Sequence, residues 1–188
     1  MRPDRVNAFT DGILAVVITI MVLELKFPAE ASWAAVRAVL PLLAAYLLSF
    51  INIGIFWNNH HHMMNSAKRV NGAVLWANLA LLFWLSLIPL VIRWIDEAGI
   101  TSWPVATYGA VLVLASAAYL ILERALIAAD GEDSAIKRAV GGRAKEWISF
   151  ALYVSGIVAA FFSPYVSVAL YVAVAVTWLV PDRRFERA

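Results

Sequence analysis

Residues 4–27, DRVNAFTDGILAVVITIMVLELKF, decide the fold of this chain. Within this stretch, residues 13–23 form an uncharged apolar run whose one hydroxyl group belongs to Thr19. An apolar run of this kind between charged flanks predicts a first helix that crosses a membrane. Asp11 lies at the start of the run, and a carboxylate is costly to place in lipid, so we expect it to face protein or water.

One face of this predicted helix carries a continuous stripe of mostly apolar residues. They recur three or four positions apart, which brings them to the same side of a helix. The stripe consists of Phe9, Gly12, Val16, Thr19, Ile20 and Leu23. From the residues alone, the simplest interpretation is that the stripe packs against neighbouring helices in the membrane.

The composition of the whole chain agrees with a polytopic, all-α membrane protein. Its 188 residues are 63% hydrophobic and only 15% charged, and the mean hydropathy is +0.78. Soluble domains are nearer half apolar. The net charge of +2 does not indicate nucleic-acid binding, because the basic residues lie in segments that flank the apolar runs. No polar stretch is long enough for a second domain, so residues 1–188 are expected to form one unit.

The apolar runs predict six membrane-spanning helices. They cover approximately residues 5–26, 33–57, 70–94, 104–127, 146–162 and 165–180. Pro104 stands near a helix start, where proline is favoured. Only Ser163 and Pro164 separate the last two segments, which therefore form an antiparallel hairpin near the lower length limit for crossing the bilayer.

The distribution of lysine and arginine predicts the orientation of the spans. With six spans both termini lie on one side, and twelve of the fifteen Lys and Arg residues fall on that side. The other side receives Lys26, Arg37 and Arg93. Because positive charge accumulates in cytoplasmic loops, both termini are predicted to be cytoplasmic.

A polar cluster, Asn58-Asn59-His60-His61-His62, ends the second predicted span. Consecutive helical histidines point about 100° apart, so these three do not make a preformed zinc site. The chain has no cysteine, which removes thiolate ligands as well. A polar cap at the membrane interface is the simplest interpretation, and no metal or other cofactor is predicted.

Enzymatic chemistry has little support in the sequence. There is no Gly-x-Ser-x-Gly or His-Glu-x-x-His pattern, and Asp11 and Glu123 are the acids nearest to span interiors. Glu123 precedes Arg124, which predicts a local ion pair or a pair of snorkelling side chains. A small ion- or proton-coupled transporter that uses Asp11 is a stronger alternative. Against it, the chain shows no inverted halves and no broken helices in matching positions.

The first predicted helix resembles that of a known channel family. Arg5-x-x-x-Phe9-Thr10-Asp11 is similar to the Arg-x-x-x-Phe-Ser-Asp motif of the transmembrane protein 175 family, the lysosomal and bacterial potassium channels, with Thr10 in place of serine. Further matches follow at Trp57, His60, Asn78 and Pro89. This resemblance implies a cation channel with six helices per chain that prefers potassium and lies in the bacterial cell membrane.

The resemblance also implies specific roles for individual residues. Four chains would surround a central pore lined by their first helices, with potassium as the permeant ion and the lipid bilayer as surroundings. The constriction would fall on Val16, Thr19, Ile20 and Leu23, where Val16 is smaller than the usual Ile or Leu. A structural polar network would tie the first helix to the second and third, and it would comprise Arg5, Phe9, Thr10, Asp11, His60 and Asn78.

Overall fold

The computed structural model describes residues 3–26, 28–131, 134–139 and 143–179. Every regular element in these ranges is a helix, which confirms the predicted all-α class. The helices are α1 (Pro3–Leu23), α2 (Trp33–Ser66), α3 (Gly72–Ser86), α4 (Ile88–Ala98), α5 (Ser102–Asp130), α6 (Ala135–Ala139), α7 (Ala144–Ala159) and α8 (Pro164–Leu179).

Four helical segments in the described ranges are long and apolar enough to cross a membrane. They are α1, α2, the combined segment Gly72–Ala98 and α5. The prediction of six spans is thus matched by length in its first four members. Helices α7 and α8 have 16 residues each, just under the roughly 17 residues that a crossing requires.

Helix boundaries follow local signals in the sequence. The side chains of Ser32 and Asn71 accept hydrogen bonds from the backbone N–H groups of Ala35 and Val74, at 3.1 and 3.0 Å, and so cap α2 and α3. At the C-terminal end of α5, Gly131 has a φ of 80°. This conformation costs a glycine little free energy.

Two predicted boundaries differ from the structure. Helix α2 was expected to end near residue 57 but continues to Ser66, so His60, His61 and His62 belong to its last turns. The third predicted span is divided into α3 and α4 at Leu87. Pro89 explains the division, because proline has no N–H to bond to a carbonyl of the preceding turn and it is favoured at a helix start.

Helix α1 packs against α2, α3 and α4, whereas α5 packs against α3, α7 and α8. Tyr171 of α8 holds the α7–α8 hairpin to α5. Its ring is fully buried, and a methyl group at either Gly109 or Gly156 would overlap it. The Tyr171 hydroxyl also donates to the carbonyl of Val105 at 3.3 Å. Close packing at small residues is a common way for membrane helices to associate.

The pairing of Glu123 differs from the prediction. Its carboxylate is buried and accepts a 2.9 Å charged hydrogen bond from Arg143 rather than from Arg124. Arg143 is twenty residues away, at the start of α7, and no local pattern in the sequence indicates the contact. The ion pair connects α5 to α7 across the segment that contains α6.

Candidate pore-lining face and adjoining polar network

Helix α1 presents two faces with different surroundings. Val6, Leu14, Val17 and Met21 are at most 4% exposed and form its packed face. The stripe identified in the sequence lies on the opposite side. Its large members are exposed on the single chain, at 52% for Phe9, 54% for Val16, 43% for Ile20 and 78% for Leu23. The stripe therefore does not serve to pack α1 against its own chain.

Two smaller residues of the stripe are also exposed. The Thr19 hydroxyl donates to the carbonyl of Val16 at 2.9 Å. This bond uses the hydroxyl hydrogen and leaves the oxygen lone pairs pointing outward as acceptors. A Cβ on Gly12 would have no other heavy atom within 4 Å. At this point α1 has free space beside its backbone.

Behind the stripe, three buried polar residues join α1, α2 and α3. Asn78 donates from Nδ2 to the Thr10 hydroxyl at 3.1 Å, and His60 Nε2 lies 2.7 Å from Asn78 Oδ1. Each is at most 2% exposed. Since an amide oxygen only accepts, the Nε2 of His60 carries the hydrogen. Its Nδ1 is buried and has no hydrogen-bond partner in the described part of the chain.

A second cluster lies at the same end of α1. Asn7 Nδ2 donates to Asn65 Oδ1 at 3.2 Å, and the Asn65 amide is 2.9 Å from His61 Nε2. The His61 ring stacks on Trp57, at 5.8 Å between ring centroids. Trp57 in turn donates from Nε1 to Asp11 Oδ1 at 2.8 Å. Asp11 is thus attached to α2 by a neutral indole.

The residues of the stripe and of both polar clusters lie in a region that is similar to known proteins. Residues 5–89, which contain the stripe and both polar clusters, match the family described as endosomal/lysosomal potassium channel TMEM175. Along its whole length the chain is 50% identical to a protein of Chryseobacterium sp. (strain P1-3) described as a potassium channel, and it covers 98% of that protein. The chain belongs to the TMEM175 family. The predicted family is therefore confirmed, and membership of a channel family also confirms that the protein is not an enzyme.

Two further similarities extend the comparison of this TMEM175-family chain. A potassium channel of Streptomyces collinus is 33% identical over 126 residues, which cover 63% of this chain and 61% of that protein. The crystal structure of a lysosomal potassium-selective channel TMEM175 homologue from Chamaesiphon minutus superposes with a TM-score of 0.83 at 21% identity, over 96% of this chain and 97% of the other. At that identity the superposition establishes a shared fold.

Not all predicted network residues of this TMEM175-family chain lie together. Thr10, His60 and Asn78 are in contact, whereas Asp11 instead bonds to Trp57. Arg5 is exposed and, within the described part of the chain, makes no ion pair with Asp11. Phe9 lies on the exposed stripe. The assignment of these residues to a structural network stays a prediction.

Four residues of the polar clusters are absent from the predicted network: Asn7, Trp57, His61 and Asn65. Asn7 precedes Thr10 by one helical turn, and Asn65 follows His61 by four residues, so helical spacing places each beside its neighbour. The sequence predicts Trp57 at the membrane interface and matches it to the family motif, with no hydrogen-bonding role. The spacing of Asn7 and Asn65 was a usable signal; the bond from Trp57 to Asp11 required the packing of α1 on α2.

Proposed function

We propose that this protein is a potassium-preferring cation channel in which four chains place their α1 helices around a central pore. Each chain contributes six membrane spans, with α7 and α8 as the last two. Both termini lie in the cytoplasm of a bacterial cell and the helices lie in its inner membrane. Membership of the TMEM175 family and the potassium-channel descriptions of the relatives support the proposal.

The exposed stripe of α1 is the observation that carries it. Helix α1 has an apolar packed face and a second, exposed face that holds Val16, Thr19, Ile20 and Leu23. The described part of the chain leaves this face uncovered, and Thr19 places one hydroxyl among its apolar side chains. In a ring of four copies, this face would surround the axis and enclose a narrow passage of mainly apolar side chains.

Such a passage favours potassium for a physical reason. Water is unstable in a narrow apolar tube, so an ion must lose part of its hydration shell to pass. Potassium holds its shell less tightly than sodium and loses it at lower cost. The Thr19 oxygens, whose hydrogens are bonded to Val16 carbonyls, would replace some of the lost water ligands between the apolar rings. Glu24 lies just beyond Leu23 and would attract cations to the mouth.

The polar clusters serve this arrangement by holding α1 at a defined rotation. Asn78, His60 and Thr10 bond across three helices, and Asp11 bonds to α2 through Trp57. Rotation of α1 would leave the buried polar groups of Thr10, His60 and Asn78 without partners, which costs free energy for each group. It would also break the exposed bond between Trp57 and Asp11. The stripe is thereby kept on the outer side of the bundle.

Reconstitution of the purified protein tests the proposal against the transporter alternative. The subunit count is measured by native mass spectrometry from a membrane mimetic, and potassium and sodium fluxes are measured in liposomes. A channel gives four subunits and flux down either cation gradient, larger for potassium and unaffected by an opposing proton gradient. A monomer, or flux that follows the proton gradient, contradicts the channel and supports a carrier that uses Asp11.

A further inference from the structure

A groove of about 730 Å³ lies beside the stripe, between α1 and the α3–α4 segment. Val16, Ile20 and Glu24 line it from α1, and Leu90 and Arg93 line it from α4. Val16 and Ile20 belong to the face that we assign to the pore, so the groove opens onto the proposed passage. Helix α4 therefore contributes part of the wall beside α1, and its charged contribution is Arg93.

Glu24 lies where α1 ends, beyond the apolar part of the stripe. Its backbone N–H donates to the carbonyl of Ile20 at 3.2 Å, so Glu24 continues the last turn of α1 past Leu23. The carbonyl end of a helix is negative through its dipole, and the last turn of α1 contains no basic residue. The helix end and the Glu24 carboxylate together attract cations, either from solution or from the protein.

Arg93 supplies such a cation from α4. It lines the same groove as Glu24, and the negative charge of Glu24 acts on its guanidinium. The Nε of Arg93 also donates to Oε1 of Glu97, one turn further along α4, at 3.0 Å. One guanidinium thus interacts with two carboxylates, and its positive charge offsets part of the negative charge at this end of α1.

The Arg93–Glu97 pair is exposed and contributes little to folding. The two side chains are 53% and 54% exposed, and ion pairs between exposed residues four apart on a helix are weak. The side of the membrane that is predicted to be outside carries Arg93, Lys26 and Arg37 as its Lys and Arg residues. Among the described residues, Arg93 is the one of these three that lines the groove.

We propose that Arg93 sets the charge of the outer mouth of the pore, because its guanidinium offsets part of the negative charge of Glu24 and so limits the local concentration of cations. This inference rests on the proposed channel with α1 around the axis. A positive charge beside the path of a cation opposes its entry, and it does so only within the screening length of the solution. In a ring of four chains the effect is repeated at four equivalent positions.

Single-channel currents in planar bilayers at two salt concentrations test the inference. The screening length is about 30 Å at about 10 mM KCl and about 3 Å at about 1 M. Arg93→Gln is expected to raise the potassium conductance about twofold or more at the lower concentration and to leave it unchanged at the higher one. Arg93→Lys keeps the charge and is expected to behave like the unmodified protein. Arg37→Gln is the matched control, because it removes an exposed cation from the same side, away from the groove.

Variants of the two carboxylates separate an electrostatic role from a structural one. Glu24→Gln and Glu97→Gln each remove a negative charge and are expected to lower the conductance at low salt, opposite to Arg93→Gln. Glu24→Gln/Arg93→Gln removes one charge of each sign and is expected to return the conductance close to that of the unmodified protein. If Arg93→Gln and Glu97→Gln change the conductance in the same direction at both salt concentrations, the broken pair is responsible and the inference is wrong.

Failure of the inference and failure of the proposed channel give different results. Absence of cation currents from the unmodified protein would remove both. Normal currents that Arg93→Gln leaves unchanged at low salt would overturn the inference while the channel stands. An equal rise in conductance from Arg37→Gln would show that any cation on this side has the effect, and the assignment to Arg93 would be wrong.

Discussion

The indole Nε1 of Trp57 lies 2.8 Å from Oδ1 of Asp11, so the acidic residue of the α1 motif is attached to α2 by a neutral donor. Asp11 remains exposed on the single chain. A carboxylate held by one hydrogen bond at a helix surface is suited to fixing the orientation of α1. This geometry leads to the first prediction.

Loss of the Trp57–Asp11 bond is expected to weaken assembly more than it alters ion preference. Asp11→Ala and Trp57→Phe each remove the bond, whose loss costs about 0.5–1 kcal/mol because the exposed carboxylate regains water. Both should lower the yield of assembled protein and its melting temperature in detergent. Trp147→Phe, at an indole that is 67% exposed, serves as the control. Well-assembled Asp11→Ala protein with a changed potassium-to-sodium flux ratio would instead indicate an ion site at Asp11.

Asn78 is expected to be the most sensitive position in the buried network. Asn78→Leu leaves the Thr10 hydroxyl and the His60 Nε2–H buried without that partner. Each buried unsatisfied group costs about 1–3 kcal/mol. Thermal unfolding should show a large drop in melting temperature. Asn59→Leu is the control, because Asn59 bonds only to the Ile55 carbonyl of its own helix in the described part of the chain. Equal effects of the two variants would contradict the role of the network.

The ion pair between Glu123 and Arg143 predicts different effects at two adjacent positions. Glu123→Ala should destabilise the protein by about 1–3 kcal/mol, because it removes a charged hydrogen bond whose acceptor is buried. Arg143 keeps partial solvation, with 34% of its side chain exposed, which limits the cost. Arg124→Ala should be close to neutral. The melting temperatures of the two variants are the measurement. A larger decrease for Arg124→Ala than for Glu123→Ala would support the local Glu123–Arg124 pair that the sequence predicts.

The Tyr171 ring packs directly against Gly109 and Gly156, so we predict that neither glycine tolerates a side chain. Gly109→Ala and Gly156→Ala each place a methyl group into the Tyr171 ring and should displace the α7–α8 hairpin. Overpacking of this kind costs about 1–3 kcal/mol. Gly54→Ala is the control, since its Cβ would meet no other atom within 4 Å and alanine favours a helix interior. Limited proteolysis at the α7–α8 turn should increase in the first two variants and remain unchanged in the third.

Polar substitutions on the stripe test the proposed constriction. Leu23→Asn and Val16→Asn should wet the passage, raise cation flux and weaken the preference for potassium, because a hydrophobic neck resists ions by excluding water. Thr19→Val removes the hydroxyl ring and should lower flux. Potassium and sodium fluxes in liposomes are the measurement, with the oligomeric state of each variant as the control. Unchanged or reduced flux in both Asn variants, with normal assembly, would assign the stripe to packing.

The sequence alone was sufficient for those features that depend on local composition and helical spacing. The apolar runs identified the first four spans, the α1 stripe was located by its spacing of three and four residues, and Arg5-x-x-x-Phe9-Thr10-Asp11 identified the family. Ser163-Pro164 marked the turn that separates α7 from α8. These signals act within one or two helical turns, so they do not require knowledge of the packing.

Contacts between distant residues were decided only by the tertiary structure. The partner of Glu123 is Arg143 rather than its neighbour, and the donor to Asp11 is Trp57, 46 residues further along the chain. The groove between α1 and α4 likewise depends on how two helices pack. A charged or polar side chain pairs with whichever group the packing brings within hydrogen-bond distance. Which groups meet depends on how whole helix faces are buried, and no local sequence pattern indicates that.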